Sequence, residues 1–338
     1  MKRFDNASLK DLNSFAVEAH ARRLFVLESE NDFQALQAEL KFNPATDLIL
    51  GGGSNILLTK NIDGAVILNR MTGKRIIEES ADTVLLEASA GENWHDLVLW
   101  SLEQGLSGIE NLSLIPGCAG AAPMQNIGAY GVELADVLES VRVLDMTDGN
   151  SIDVNHSQCQ FGYRHSRFKT AAARYDLITH IRLRLHRNFI ARLEYAGLDK
   201  ELGSMGIDKP TAKQVSDAVI RIRKRKLPDP SVTGNAGSFF KNPVVSGSRA
   251  RLLKNEFAKL PVYPMNNDTA KLSAAWLIEQ CGWKGQAMGN AAVSDQHALV
   301  LINTGKATGR EILDLADAIG ESIKRRFDIQ LQTEPQIL

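Results

Sequence analysis

Two periods organise the apolar residues of this chain. Phe33, Leu36 and Leu40 recur at helical spacing behind Asn31 and Asp32, either of which can cap a helix there. Leu48-Ile49-Leu50 has the length of a short buried strand, and residues 65–68 and 83–88 read as further strands. From Asn93 the period becomes helical, with Trp94, Leu97, Val98 and Ser101 on one face and Gly105 as the stop. Residues 141–146 and 151–154 flank an Asp148-Gly149 turn, which is a hairpin signal. Ile181, Leu183 and Leu185 alternate with His180, Arg182 and Arg184, as in a half-buried strand. The two prolines of Leu-Pro-Asp-Pro forbid helix after the charge run 221–226, and a domain boundary is placed within 221–230. Beyond it come an amphipathic stretch around Trp276 and Leu277, a strand at 298–302 and a long helix. That helix opens on the capping box Thr308-Gly309-Arg310-Glu311 and carries Leu315, Ile319, Ile323 and Phe327 on one face. Strands and helices without regular βαβ alternation indicate an α+β fold.

The length, 338 residues, corresponds to about two domains. With 44% hydrophobic and 23% charged residues, the chain is neither collagen-like, mucin-like nor broadly disordered. Lys and Arg total 39 against 40 Asp and Glu, a balance that argues against a protein that wraps nucleic acid. Cys118, Cys159 and Cys281 form no C-x-x-C pair, and three thiols cannot close a disulfide framework. The seven histidines are scattered, so no metal site is expected. The first residues lack the apolar stretch of a signal peptide. The longest uncharged run, between Glu110 and Glu133, contains two prolines and four glycines and is no membrane helix. A cytoplasmic protein without a membrane partner is the expectation.

Two segments carry candidate chemistry. Gly51-Gly52-Gly53-Ser54-Asn55 follows an apolar strand, and glycines let backbone N–H groups approach an anion. It is neither a Walker loop nor a Rossmann fingerprint, and the plainer alternative is a glycine turn. The second segment, from Ile115-Pro116-Gly117 through Gly120-Ala121 to Asn126-Ile127 and Gly131, is small-residue-rich and uncharged. It suits a diphosphate and a planar ring, against the alternative of tight backbone packing in the core. Two such loops in one domain favour a dinucleotide.

Leu-Gly-Gly-Gly-Ser-Asn and Ile-Pro-Gly-x-x-Gly-Ala-Ala-Pro-Met-Gln-Asn-Ile-Gly-Ala-Tyr-Gly resemble the FAD loops of the UDP-N-acetylenolpyruvoylglucosamine reductases, the MurB family. The resemblance continues through residues 162–169, 226–230, 234–243 and 331–335, almost the whole chain in order. It implies a two-lobed FAD-binding domain of the vanillyl-alcohol-oxidase type followed by a smaller α/β substrate domain. The lobes are expected at 1–70 and 71–227 and the substrate domain at 228–329, with a strand at about 330–338 returning to the active site. The cofactors implied are non-covalent FAD and NADPH as co-substrate, and the substrate is a UDP-sugar enolpyruvyl ether. Gly51, Gly52, Gly53, Ser54, Asn55, Ile115, Pro116, Gly117, Gly120, Ala121, Asn126, Ile127 and Gly131 are the implied cofactor residues.

The resemblance also assigns roles that composition cannot. Arg164 would clamp the substrate carboxylate, for which a permanently charged guanidinium is suited. Ser238 would protonate a carbon, and Glu334 would act opposite it. A serine hydroxyl is a poor acid, so this works only against a strongly basic carbon held nearby. In the family's Leu-Glu-x-Glu the second glutamate corresponds to Glu334, and this chain has Gln332 in place of the first. Tyr195 resembles the tyrosine of the substrate-covering loop in the first, longer type of the family; as a residue it equally fits an aromatic anchor for a surface loop. Lys226, in a run of five cations, is a candidate for nucleotide phosphates, against the plainer reading of a solvated face. Asn242 and Gln296 are implied substrate contacts, with His297 as the alternative to Gln296. The protein is expected to be a monomer. The other readings are an FAD-dependent oxidase or dehydrogenase of an alcohol or sugar, and a nucleotide- or nucleic-acid-binding protein that uses residues 221–226.

Overall fold

The computed structural model describes residues 1–195, 197–265 and 268–338. Ala196, in the motif around Tyr195, lies outside the described residues. The chain divides into two compact units. The first comprises Met1–Ala7, His20–Gly53 and Ile62–Arg223, and the second Ser8–Ala19, Ser54–Asn61 and Lys224–Leu338.

In the first unit, a four-stranded sheet has the order Lys2–Ser8, His20–Leu27, Ile62–Asn69, Leu48–Leu50. Ile62–Asn69 is parallel to the strands on both sides of it, with Leu50 facing Leu68. Strands that run the same way need a crossover, and α1 (Asn31–Glu39) supplies it between His20–Leu27 and Leu48–Leu50. Its Phe33 and Leu36 pack with Phe25, Leu27, Ala65 and Ile67. The start of α1 departs from the expectation. Asn31 and Asp32 are already helical, and neither caps the helix. The Asp32 carboxylate instead accepts from the N–H groups of Glu28 (2.8 Å) and Ser29 (3.2 Å), fixing the chain that enters the helix.

A five-stranded antiparallel sheet follows, in the order Ser151–Asn155, Leu138–Asp145, Asp176–His186, Thr83–Ser89, Lys74–Glu79. The expected hairpin is present, with Val141 opposite Val154. The alternation along Asp176–His186 is real: Ile181, Leu183 and Leu185 are buried. On the opposite face Arg182 pairs with Glu87 on the adjacent strand (2.9 Å) and with Asp153 two strands away (2.7 Å). α2 (Trp94–Glu103) buries Trp94, Leu97 and Val98 in this sheet's core. Asn93 caps it by accepting from the Asp96 N–H at 3.1 Å, and Gly105 follows its end at φ +72°. α3 (Leu198–Ser204) and α4 (Ala212–Lys226) form a satellite core of Leu198, Leu202, Val215, Val219 and Ile222. The helix α4 includes the charge run and ends two residues before Pro228, which it could not accommodate.

The second unit contains a four-stranded antiparallel sheet, ordered Asn235–Ser238, Val300–Asn303, Ala291–Val293, Ala287–Met288. The strand expected at 298–302 joins its ladder from Val300, after the buried Ala298 and Leu299. A three-stranded sheet, Val244–Ser246, Thr269–Leu272, Val262–Met265, accompanies α5 (Gly247–Glu256) and α6 (Ala274–Gln280). α7 (Gly309–Phe327) has the expected capping box. Thr308 Oγ1 accepts from the Glu311 N–H at 3.2 Å, and the Glu311 carboxylate accepts from the Thr308 N–H at 2.8 Å. Leu315, Ile319, Ile323 and Phe327 are buried, each contributing about 1.5–3 kcal/mol over exposure. Gln336–Ile337 pairs in parallel with Ile56–Leu57. Among the described residues, no helix is long and apolar enough to cross a membrane.

Candidate functional site

The two glycine loops meet in the first unit because neither carries side chains that would keep them apart. A Cβ at Gly52 would stand 2.9 Å from Gly117 Cα, and one at Gly51 would stand 2.5 Å from Cys118 Sγ. Gly120 is as tightly placed against Ala90, whose carbonyl accepts its N–H at 2.8 Å. The tight packing and the binding-loop reading are therefore not rivals: the loops pack against each other through their backbones. Gly51–Gly53 continues Leu48–Leu50 beyond its carboxyl end, where open parallel sheets bind ligands. Gly53 is buried with φ +62°, and among the described residues its N–H donates to no carbonyl or side chain. A buried amide donor of this kind requires an acceptor. An uncharged loop pair with such a donor fits the diphosphate of a dinucleotide. Burial pushes the Cys118 thiol above its ordinary range, so it lines the loop as an unreactive group.

The remaining loop residues divide. Ile127 is buried, Ile115, Gly117 and Ala121 are half-buried, and Pro116 and Gly131 are exposed. The buried Asn126 has φ +47° and spends its side chain on the protein. Its amide donates to Glu133 at 2.8 Å and to the Gly162 carbonyl at 3.3 Å, and its oxygen accepts from the Ala135 N–H at 2.9 Å.

Arg164, also in the first unit, occupies left-handed backbone at φ +52° between the bridged residues Gly162 and His165. Its guanidinium donates to the Gly128 carbonyl at 2.6 Å, lies 3.8 Å from a Glu133 carboxylate oxygen and sits 5.3 Å over the Tyr163 ring. The carbonyl of Gly128 thus serves this arginine. Tyr195 is half exposed and stands edge-on to Tyr130, with ring centroids 5.1 Å apart.

In the second unit, backbone pairing brings Ser238 and Glu334 together. The ladder between Asn235–Ser238 and its neighbour is bulged between Asn235 and Ser238, with Gly237 at φ +69°. A bulge re-aims the side chain that follows it. Glu334 donates its N–H to the carbonyl of Phe239, the residue after Ser238, at 2.8 Å. Phe240 bridges Thr333, and Lys241 donates to the Gln332 carbonyl at 2.9 Å. Asn55 Nδ2 donates to the Glu334 carbonyl at 3.4 Å, so the glycine segment's last residue helps seat this strand. Ser54 is half-buried. Asn242 Oδ1 accepts from the Ala274 N–H at 2.9 Å, at the start of α6. Lys226 is exposed at the end of α4. Gln296 is exposed, while His297 is half-buried with Nδ1 accepting from the Leu299 N–H at 3.2 Å. Burial, then the charge of Lys226, holds the His297 imidazole below its ordinary range, so it is neutral with its proton on Nε2.

Sequence reasoning passed over the two carboxylates that bracket the uncharged run. Glu110 is buried and accepts from the Gly108 N–H at 2.6 Å; burial raises its carboxyl above the ordinary range. Glu133, at the other end, meets both Asn126 and Arg164. Their signal was available in the charge pattern: they are the first charges on either side of a long neutral stretch.

A dinucleotide-fitting loop pair on a mixed parallel and antiparallel frame defines a class, the dinucleotide-binding proteins. Residues 21–155 match the family model described as an FAD binding domain. Residues 229–338 match that of the UDP-N-acetylenolpyruvoylglucosamine reductase C-terminal domain. The chain is 46% identical to the UDP-N-acetylenolpyruvoylglucosamine reductase of Pseudomonas aeruginosa over 98% of each chain. It is 48% identical to that of Xanthomonas axonopodis pv. citri, covering 99% of this chain and 95% of the relative. The crystal structure of the Thermus caldophilus reductase (MurB) shares the fold, with a TM-score of 0.68, 24% identity and coverage of 99% and 98%. The chain belongs to the UDP-N-acetylenolpyruvoylglucosamine reductase family, and its fold is the α+β architecture expected.

Proposed function

We propose that the protein reduces the enolpyruvyl ether of UDP-N-acetylglucosamine to UDP-N-acetylmuramate, using NADPH and bound FAD, for peptidoglycan synthesis. Family membership over nearly the whole length carries this reading. The glycine loops would hold the cofactor through Gly51–Gly53 and Gly117–Ala121, where the Gly53 amide is a donor available to a diphosphate. Bound FAD supplies a hydride acceptor and donor between NADPH and the substrate's terminal carbon.

Arg164 clamps the substrate carboxylate and stabilises the negative charge that grows toward it during hydride addition. Ser238 gives its hydroxyl proton to the adjacent carbon, and Glu334 acts beside it. The backbone bond from the Glu334 N–H to the Phe239 carbonyl supports this division of labour, because it ties residue 334 to the residue next to Ser238. Tyr195, Lys226 and Asn242 contact the substrate. Gln296 is the neighbouring polar contact, with His297, whose Nδ1 accepts from the Leu299 N–H, as the alternative. Residues 1–70 and 71–227 form the FAD lobes and 228–329 the substrate domain. The protein works in the cytoplasm as a monomer, without nucleic-acid or membrane partners.

An anaerobic visible spectrum tests the reading. Flavin bands should bleach with NADPH and return on adding the enolpyruvyl substrate alone. A flavin that NADPH cannot bleach would support an oxidase instead, and a colourless protein that FAD cannot reconstitute would end the proposal.

A further inference from the structure

Arg164 meets acceptors of unequal kind, and one of them is an acid that the proposed chemistry does not use. One terminal nitrogen of its guanidinium donates to the Gly128 carbonyl at 2.6 Å, and the other faces Glu133 at 3.8 Å. Glu133 is itself fixed at three points. Asn126 donates to its carboxylate at 2.8 Å, its side chain accepts from the Asp136 N–H, and its own N–H donates to the Asp136 carboxylate at 3.1 Å. Asp136 in turn pairs with Arg192 at 2.7 Å. The crowding leaves little slack: a Cβ on Gly128 would lie 2.9 Å from both the Arg164 nitrogen and Glu133 Cγ.

We propose that Glu133 is a positioning residue for Arg164, setting the angle at which the guanidinium is presented to the substrate carboxylate. The inference rests on the reading of Arg164 as the carboxylate clamp. A guanidinium recognises a carboxylate through a planar fork, so its orientation matters more than its charge alone. Long side chains left to sample rotamers lose that orientation. Here a carbonyl fixes one terminal nitrogen and a carboxylate steers the other. At 3.8 Å Glu133 is close enough to steer the guanidinium and too far to compete with a carboxylate bound in hydrogen-bond contact. The Asn126 bond and the capping contacts keep Glu133 from following Arg164 when substrate arrives.

The test is a double-mutant cycle on the two half-reactions of the FAD-loaded enzyme, using Glu133→Gln and Arg164→Lys. Glu133→Gln keeps the size and one acceptor oxygen but removes the charge. It should slow flavin reoxidation by the enolpyruvyl substrate about tenfold and raise that substrate's KM, while reduction by NADPH changes less than twofold. In the Arg164→Lys background it should slow reoxidation no further. Wild-type reoxidation in Glu133→Gln beside a slow Arg164→Lys would overturn the inference alone. Full additivity of the two substitutions would do the same. Arg164→Lys turning over like wild type would remove the clamp reading, and this inference with it. Should Glu133→Gln lose its flavin, Glu133→Asp is read on the same traces. Slow reoxidation with normal reduction supports positioning, and wild-type traces overturn it.

Discussion

Replacing Ser238 by alanine removes one hydroxyl from a bulged strand and leaves the strand's backbone pairing with Val300 untouched. On the proposed chemistry, flavin reduction by NADPH stays near wild type and reoxidation by the enolpyruvyl substrate stalls. Stopped-flow traces that slow equally in both half-reactions would remove Ser238 from its role. Glu334→Gln should abolish turnover with FAD retained, because the bond from residue 334 to Phe239 is made by the backbone. Gly52→Ala is a different kind of test. Its new Cβ must push the loop carrying Gly117 away from a 2.9 Å contact, and such overpacking costs about 1–3 kcal/mol. A lower melting temperature and a flavin-to-protein ratio well under that of wild type are expected. At this scale the sequence was most legible where residue type limits the options, as in glycines that touch backbone to backbone. It was least legible for the contacts of Glu133 with Arg164 and of Asn126 with the Gly162 carbonyl, whose partners lie far off in the chain.

Helix ends show where local rules hold and where they yield. The Thr308–Glu311 box could be read directly, since both partners lie within one turn and need nothing from the rest of the molecule. Thr308→Ala should cost about 1 kcal/mol in chemical denaturation. The Glu311 carboxyl, which accepts from Thr308 and Asn290, is drawn down from 4.5 to about 2. Because its folded value is depressed, its stabilising contribution is complete above the unfolded value and fades as pH falls toward about 2. Melting curves between pH 5 and 2 should therefore fall less steeply for Glu311→Gln than for wild type. The start of α1 failed the same rule. Asp32 has the chemistry of a cap but finds the amides of Glu28 and Ser29 within reach, and the chain's entry direction decides between the two. The bulge at Ser238 likewise depends on how two strands register, which no single strand encodes.

For the whole molecule, light scattering should return the 37.1 kDa of a single chain on the monomer proposed, and a doubled mass would overturn that part. The architecture class was accessible from the mixture of periods along the chain. The assignment of segments to units was not, because Ser8–Ala19 and Ser54–Asn61 belong with Lys224–Leu338 despite their place in the chain. Asn55 and Glu334 meet although 279 positions separate them, and Ile56–Leu57 pairs with Gln336–Ile337. During synthesis, then, the segment just after the glycine loop waits without its strand partner until residues 336–337 have left the ribosome. Contacts of such separation form late. A nascent chain halted before residue 336 should consequently leave Ile56–Leu57 open to proteases, and restoring the last residues should close the site of cleavage.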